Sequence, residues 1–310
     1  METRIVGRFA PSPSGRMHLG NAFSALLAWL SVRSAGGEMV LRLEDLDPQR
    51  CKRDYADQIE ADYQWLGLDW DRGGSMGGLE YYQSNRSTIY AEYLERLRQN
   101  GLIYPCFCTR NQLHAASAPH GTDGTVIYAG TCRNLTEAEQ AERARTRTPA
   151  LRIRVPAATV SVTDTVMDAY SEALDQSCGD MILRRSDGVY AYQLAVVVDG
   201  ALMGVNQVVR GSDLLSSTPR QIWLQRQWGF PQPQYCHVPL LYGADGHRLS
   251  KRQRDMDLGT LRSAGKHPEE IVGQLAAWAG LIDRPELVSA RELVPEFKWK
   301  KIGQRPVLVK

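Results

Sequence analysis

Arg8-Phe9-Ala10-Pro11-Ser12-Pro13-Ser14-Gly15-Arg16-Met17-His18-Leu19-Gly20-Asn21 is the stretch on which the fold turns. Residues 5–10 predict a short apolar strand, and the Pro-Ser-Pro-Ser-Gly run at 11–15 breaks it. Residues 18–33 then carry helical spacing, with Leu19, Ala22, Phe23, Leu26, Leu27 and Leu30 on one broad face. Gly36-Gly37 ends that helix. A second strand follows over 39–43 and runs into the acidic tip Glu44-Asp45-Leu46-Asp47-Pro48. Two strands joined through a helix lie parallel, so the expectation is an α/β fold with a doubly wound parallel sheet. A helix that starts near His18 turns unpaired N–H groups and a positive dipole end toward the strand end, a setting suited to a phosphate. His18 can donate to a phosphate oxygen as charge builds on it. Gly20 lets a nucleotide lie against the backbone.

Composition narrows the class. The chain has 310 residues, 43% hydrophobic and 23% charged, as in a folded globular protein and unlike a disordered one. Lys and Arg number 37 against 35 Asp and Glu, a formal charge of +2, which excludes a polybasic tail protein but leaves local basic patches for nucleic acid. The longest strongly apolar stretch, residues 22–32, is too short to span a bilayer. Glu2, Arg4 and Arg8 crowd the N-terminus where a secretory signal would need an apolar region. Six cysteines are too sparse for a disulfide scaffold, so reduced thiols and a cytoplasmic location are expected. No period of 20 to 50 residues repeats, which argues against solenoids and propellers.

Four segments are expected. Residues 1–104 form the first half of a catalytic body, with amphipathic helices near 54–67 and 86–100 separated by the Gly73-Gly74 and Gly77-Gly78 loop. Residues 105–180 read as an insertion, with four of the six cysteines and an Arg-rich strip at Arg143, Arg145, Arg147, Arg152 and Arg154. Residues 181–246 return to core character, with strands near 191–198 and 205–210 and a helix from about 213 to 228. Residues 247–310 begin with a basic loop and then read as helical, clearest over 269–281 with Pro268 in the first turn. The tail carries Lys298, Lys300, Lys301, Arg305 and Lys310.

Two further constellations carry chemistry. His247-Arg248-Leu249-Ser250-Lys251-Arg252-Gln253-Arg254, after Gly243-Ala244-Asp245-Gly246, is a glycine-containing cationic loop. Nucleotidyl transfer needs such mobile donors near the transferring phosphate and the leaving pyrophosphate. Alone, a solvated basic loop is the simpler reading. Cys106-Phe107-Cys108 and Cys132 supply three ligands for a tetrahedral zinc ion. His114, His120 and Tyr128 are the candidates for the fourth, with a histidine favoured by ligand chemistry alone. Cys51, Cys178 and Cys236 read as structural.

Taken as a pair, the two nucleotide elements resemble the HIGH and KMSKS signatures of class I aminoacyl-tRNA synthetases. They stand here as His18-Leu19-Gly20-Asn21 and Arg248-Leu249-Ser250-Lys251-Arg252, with His18, Gly20, Ser250 and Lys251 kept. Arg8-Phe9-Ala10-Pro11-Ser12, Leu41-Arg42-Leu43-Glu44-Asp45, Tyr190-Ala191-Tyr192-Gln193-Leu194-Ala195 and Val209-Arg210-Gly211-Ser212-Asp213-Leu214-Leu215 are similar to the glutamyl branch. The six motifs fall in order across about residues 4 to 255. The resemblance implies a Rossmann-type catalytic domain with a zinc-bearing insertion and a short C-terminal helical region. It implies ATP, with its Mg²⁺, at His18, Gly20, Asn21, Ser250 and Lys251, with His18 and Lys251 catalytic. It implies L-glutamate at Arg8, Ala10, Ser12, Glu44, Tyr192 and Arg210, with Arg210 near the side-chain carboxylate and Glu44 receiving the α-ammonium. Two converging guanidinium groups fit a substrate with carboxylates. In glutaminyl relatives the position of Arg210 lacks the cation.

The chain departs from the family in two places. Asp199-Gly200 stands where two consecutive aspartates are usual, and Asn134 stands where full-length glutamyl enzymes place the histidine of a Cys-x-His zinc pair. Tyr128, four residues before Cys132, instead resembles the glutamyl-Q tRNA(Asp) synthetases, in which Cys106, Cys108, Tyr128 and Cys132 would form the zinc site. Only 58 residues follow Arg252, too few for the helical anticodon-binding region of ordinary glutamyl-tRNA synthetases. The resemblance therefore implies a monomeric ligase that activates glutamate without tRNA and attaches it to queuosine in the anticodon loop of tRNA(Asp). Its rivals are a truncated enzyme that charges tRNA(Glu), an inactive RNA-binding paralogue and a small-molecule ligase of the same superfamily.

Overall fold

The computed structural model of the chain describes residues 4–113, 127–243, 245–247, 249 and 257–309. β1 (Val6–Phe9) leads through the proline turn into α1 (Leu19–Ser34), which is buried over most of its circumference, from Leu19 through Trp29 to Val32. A helix apolar on nearly every face belongs inside, packed on both sides. β2 (Glu38–Leu41) returns parallel to β1, in register from Val6 opposite Glu38 to Phe9 opposite Leu41. α2 (Arg53–Trp65) precedes β3 (Arg72–Gly73), which pairs parallel with β2. Short 3₁₀ turns then carry the chain to α3 (Ser87–Gln99).

The next segment pairs its strands among themselves. It comprises β4 (Ile103–Cys106), α4 (Arg110–Leu113), α5 (Glu137–Ala144), β5 (Ala150–Ile153), β6 (Thr159–Asp164), β7 (Asp168–Ala173), α6 (Leu174–Ser177) and β8 (Ile182–Arg184). β4, β5 and β8 form an antiparallel sheet in that order, and β6 and β7 form a hairpin. β6 alternates exposed and buried residues, so Val160, Val162 and Asp164 share the inward face. That face packs on the remainder of the body, and Thr165 donates its backbone N–H to Tyr235 O at 2.9 Å.

The chain then forms α7 (Tyr192–Leu202), β9 (Gln207–Gly211), α8 (Ser217–Trp228), β10 (Gln234–Val238), β11 (Leu241–Tyr242), α9 (Leu258–Ser263), α10 (Pro268–Trp278) and β12 (Val307–Leu308). β9 and β10 are parallel. Asn206 joins β9 to β1: its backbone N–H donates to Val6 O at 3.0 Å, and its Oδ1 accepts from Val6 N–H at 2.7 Å. The spatial order is thus β3-β2-β1-β9-β10, and the connections diverge between β1 and β9. Ligands of open α/β sheets bind outside the carboxyl ends of the strands at such a point.

Residues 191–198 are not the expected strand. They open helix α7, despite three consecutive valines whose β-branched side chains disfavour helix by a few tenths of a kcal/mol each. Burial outweighs that preference. Leu194, Ala195, Val197 and Val198 are enclosed in a core shared with Tyr90, Leu97, Ile153, Val162, Ile222 and Leu224. A second core, under α1, α2 and α10, carries the sheet. The helical reading of the C-terminal segment holds for α9 and for α10, where Pro268 sits in the first turn. Beyond about residue 282 the chain is turns and one 3₁₀ segment, and β12 returns parallel to β11. Among the described residues, no helix is long and apolar enough to cross a membrane.

Candidate active site

A cleft of about 480 Å³ opens at the divergence of β1 and β9. Its walls bring together Arg8, Ala10, Ser12, His18, Gly20, Asn21, Glu44, Tyr192 and Arg210, nine of the residues singled out from the sequence. Ser250 and Lys251 lie outside the described residues, as do His114 and His120. Leu249, within the basic loop, lines the cleft. Asp257, just after it, forms an antiparallel bridge with His18, and Leu258 N–H donates to Met17 O at 2.9 Å. Leu249 of the loop and the chain just after it are therefore held beside the start of α1.

His18 is the N-cap of α1. Its Nδ1 accepts from Gly20 N–H at 3.1 Å, which places the ring proton on Nε2. Asn21 Oδ1 accepts from His18 N–H to complete a reciprocal cap. A Cβ on Gly20 would stand 3.0 Å from the His18 ring, so a side chain here would crowd the capping imidazole.

The amino-acid end is strongly cationic. Arg8 donates to Val209 O at 2.5 Å and is pulled down to about 10 by burial and by the neighbouring Arg210 and Arg42, though it stays charged at neutral pH. Arg210, 4% exposed, is held by neutral acceptors. Its Nε donates to His237 Nε2 at 2.9 Å, its Nη1 to Gln221 Oε1 at 2.9 Å, and its Nη2 to Thr218 Oγ1 at 2.8 Å and Leu214 O at 3.4 Å. Among the described residues no carboxylate forms an ion pair with Arg8 or Arg210. A buried cation of that kind is completed by an anion from outside. Glu44 and Asp213 are the acids that line the cleft, and Arg42 Nη2 donates to Glu44 Oε1 at 2.8 Å. Arg8 and Arg210 on one side and Glu44 on the other suit a molecule with an ammonium group and two carboxylates.

Several supports were not read from the sequence. Asp199, fully buried, accepts from Gln83 Nε2 at 2.8 Å, Arg86 Nε at 2.7 Å and Tyr90 Oη at 2.7 Å. It lies 3.9 Å from Arg42 Nε, so a line of charge runs from Asp199 through Arg42 to Glu44. Arg42 is raised above its ordinary value, because Glu44 and Asp199 outweigh the opposing effect of burial. Gly200 does not line the cleft. It faces a separate void of about 30 Å³ also lined by Arg8, Arg42 and Arg210, and a Cβ there would meet nothing within 4 Å. His237 and Asp164 behind Arg210 carry no sequence signal, since 73 residues separate them.

The cysteine cluster forms apart from the cleft. Cys106, Cys108 and Cys132 bring their sulfurs within 4.8 Å of one another, with Cys108 and Cys132 3.7 Å apart. Tyr128 Oη lies 3.5 Å from Cys106 Sγ and 3.8 Å from Cys108 Sγ, and it accepts from Cys132 N–H at 2.7 Å. Tetrahedral zinc with bonds of about 2.3 Å to sulfur sets its ligand atoms about 3.8 Å apart. The three thiols and the phenol fit that ion. The Arg152 guanidinium stacks over the Tyr128 ring, 3.8 Å from its centre, while burial and the Cys106 thiol hold the Tyr128 hydroxyl above the ordinary tyrosine range in the metal-free cluster. Arg152 is thereby 5% exposed and donates to Asp180 O, so it is not a surface contact as the Arg-rich strip would have it. Arg145 pairs with Glu142 at the surface.

Comparisons with known proteins give the family. The family model for the catalytic domain of class I (E and Q) tRNA synthetases matches residues 4–307. A curated protein of Symbiobacterium thermophilum named glutamyl-Q tRNA(Asp) synthetase is 50% identical over 98% of this chain and 96% of its own length. Glutamate–tRNA ligase 2 of Alkalilimnicola ehrlichii is 40% identical over 98% of this chain but 65% of its own. The crystal structure of a glutamate tRNA ligase from Elizabethkingia meningosepticum, in complex with its amino acid, superposes with a TM-score of 0.85 at 27% identity, covering 99% of this chain and 67% of that one.

Proposed function

Because the chain belongs to the class I (E and Q) tRNA synthetases, we propose that it is a ligase that activates L-glutamate with ATP and transfers it to queuosine in the anticodon loop of tRNA(Asp). The observation that carries the reading is the cleft at the β1/β9 divergence, where Arg8, Arg210 and Glu44 meet the capped start of α1. The 50% identity to a glutamyl-Q tRNA(Asp) synthetase over nearly its whole length favours this acceptor over tRNA(Glu).

Arg8 and Arg210 take the side-chain carboxylate, with the Tyr192 hydroxyl beside them. Glu44 takes the α-ammonium, and Ala10 and Ser12 border the amino acid. The α-carboxylate oxygen then attacks the α-phosphorus of ATP in line, the bond to the bridging oxygen breaks, and pyrophosphate leaves. Mg²⁺ bound with ATP offsets the phosphate charge. His18 Nε2–H, the N–H groups at the start of α1 and the Lys251 ammonium stabilise the charge that gathers during transfer. Gly20, Asn21 and Ser250 border the nucleotide. A hydroxyl of the queuosine ring next attacks the activated carbonyl, giving the ester and AMP, with positioning as the main contribution of the protein. Residues 105–180 form an insertion stapled by a structural zinc ion at Cys106, Cys108, Tyr128 and Cys132.

The test is radiolabelled glutamate transfer to purified tRNA(Asp) with and without queuosine, and to tRNA(Glu), beside glutamate-dependent pyrophosphate exchange without tRNA. Exchange without tRNA, and transfer only to the queuosine form, are expected. Transfer to tRNA(Glu) alone would reverse the acceptor, and absence of exchange would favour an inactive paralogue. Lys251→Ala should lower exchange by orders of magnitude, and an unchanged rate would remove Lys251 from the chemistry.

A further inference from the structure

Behind Arg210 lies a buried chain of hydrogen bonds that reaches the β6–β7 hairpin. His237 on β10 stands opposite Arg210 on β9 in the parallel register and is completely buried. Its Nδ1 is 2.6 Å from Asp164 Oδ2, and its Nε2 is 2.9 Å from Arg210 Nε. Asp164 also accepts backbone N–H bonds from Val166, Met167 and His237 at 2.9 to 3.0 Å. Those donors and the imidazole hold its carboxyl below the ordinary range against the opposing effect of burial. Burial also pulls His237 down, against Asp164 and with Arg210 and Arg8, so the ring is neutral.

The donor pattern has one solution. Arginine has N–H groups and no acceptor, so Nε can bond only to a bare Nε2 lone pair. The ring proton must then sit on Nδ1, where ionised Asp164 accepts it. We propose that Asp164 and His237 are positioning residues that orient Arg210 through this tautomer and so set the affinity for the side-chain carboxylate of glutamate. Four of the five N–H groups of Arg210 are spent on His237, Gln221, Thr218 and Leu214, which fixes the edge it turns to the cleft. The inference rests on the proposed function, since it concerns glutamate in the same cleft.

Asp164→Asn tests it with nearly unchanged shape. The carboxamide oxygen keeps accepting backbone N–H groups, but its NH₂ donates to Nδ1 and drives the ring proton to Nε2. Two N–H donors then face each other across the Arg210 contact. In pyrophosphate exchange KM for glutamate should rise about tenfold or more, while KM for ATP stays within about twofold and the melting temperature within a few degrees. The double variant Asp164→Asn/His237→Gln should recover most of the lost affinity, because a glutamine oxygen accepts from Arg210 whatever residue 164 does. If Asp164→Asn fails to fold, His237→Gln against His237→Leu makes the same comparison with Asp164 intact. An unmoved glutamate KM, an equal rise in both KM values, or no rescue overturns the proposal. Absence of glutamate-dependent exchange in the native chain overturns the functional reading itself.

Discussion

Replacing Arg210 by methionine keeps the length of the side chain and removes the cation. Removing one partner of a buried, hydrogen-bonded charge pair costs about 2–5 kcal/mol. Arg8 remains in the same cleft, so a value near 3 kcal/mol is reasonable, or about 150-fold in kcat/KM for glutamate at about 1.4 kcal/mol per tenfold. Stability should respond less. The substitution strands acceptors on His237, Gln221 and Thr218, each worth about 1–3 kcal/mol if left unpaired. It also relieves a desolvated cation without a carboxylate partner, which returns several kcal/mol. The opposing effects predict a shift in melting temperature within about 4 °C. The assay is pyrophosphate exchange at varied glutamate and varied glutamine, with ATP saturating and then limiting. Glutamate should lose about two orders of magnitude, glutamine far less, and KM for ATP should hold. A loss below about threefold for glutamate, or an equal loss for both amino acids, would refute the assignment of Arg210 to the side-chain carboxylate.

Native protein should carry about one zinc per chain, and Tyr128→Phe should weaken it by about 10–100-fold, as read by competition with a chromogenic chelator; unchanged affinity would exclude the phenol as ligand. Asp62, whose Oδ2 is buried without a hydrogen-bond partner among the described residues, is pushed up to about 6 by burial. A raised acid contributes stability below its unfolded value near 3.8 and loses it as pH rises through about 6. Asp62→Asn should therefore melt about 2–4 °C higher than the native chain at pH 7.5, with the gap closing toward pH 4; a gap independent of pH would contradict this. Glycine to alanine inside a helix ordinarily stabilises by about 1 kcal/mol. At Gly273 in α10 the sign should reverse, because the added carbon would stand 1.7 Å from Glu286 O. A loss of about 1–3 kcal/mol in chemical denaturation is expected, and a gain would show that the 286 segment moves freely.

Much of the site could be read along the chain because its parts are contiguous. Strand, proline turn and capped helix occupy residues 6–34 without interruption, so spacing and turn chemistry alone place His18 at a helix start near a strand end. The same reasoning failed at Tyr192–Leu202, where local preference favoured a strand and burial from several sides imposed a helix. That helix sets Tyr192 at the cleft and sends Asp199 to Gln83, Arg86 and Tyr90. Residue chemistry left His114, His120 and Tyr128 as rivals beside three cysteines, and folding brings the Tyr128 hydroxyl to the sulfurs.

Periodicity and turn residues act over a few positions, so the linear order of amino acids is enough to specify β1, α1 and β2 and the kind of sheet they build. The partners of Arg210 on α8 and β10, and Asp164 on β6 behind His237, meet through parallel pairing and packing that join residues up to 73 positions apart. A buried guanidinium takes its orientation from whichever acceptors surround it, and those are supplied by the folded arrangement of distant segments, not by its neighbours in the chain.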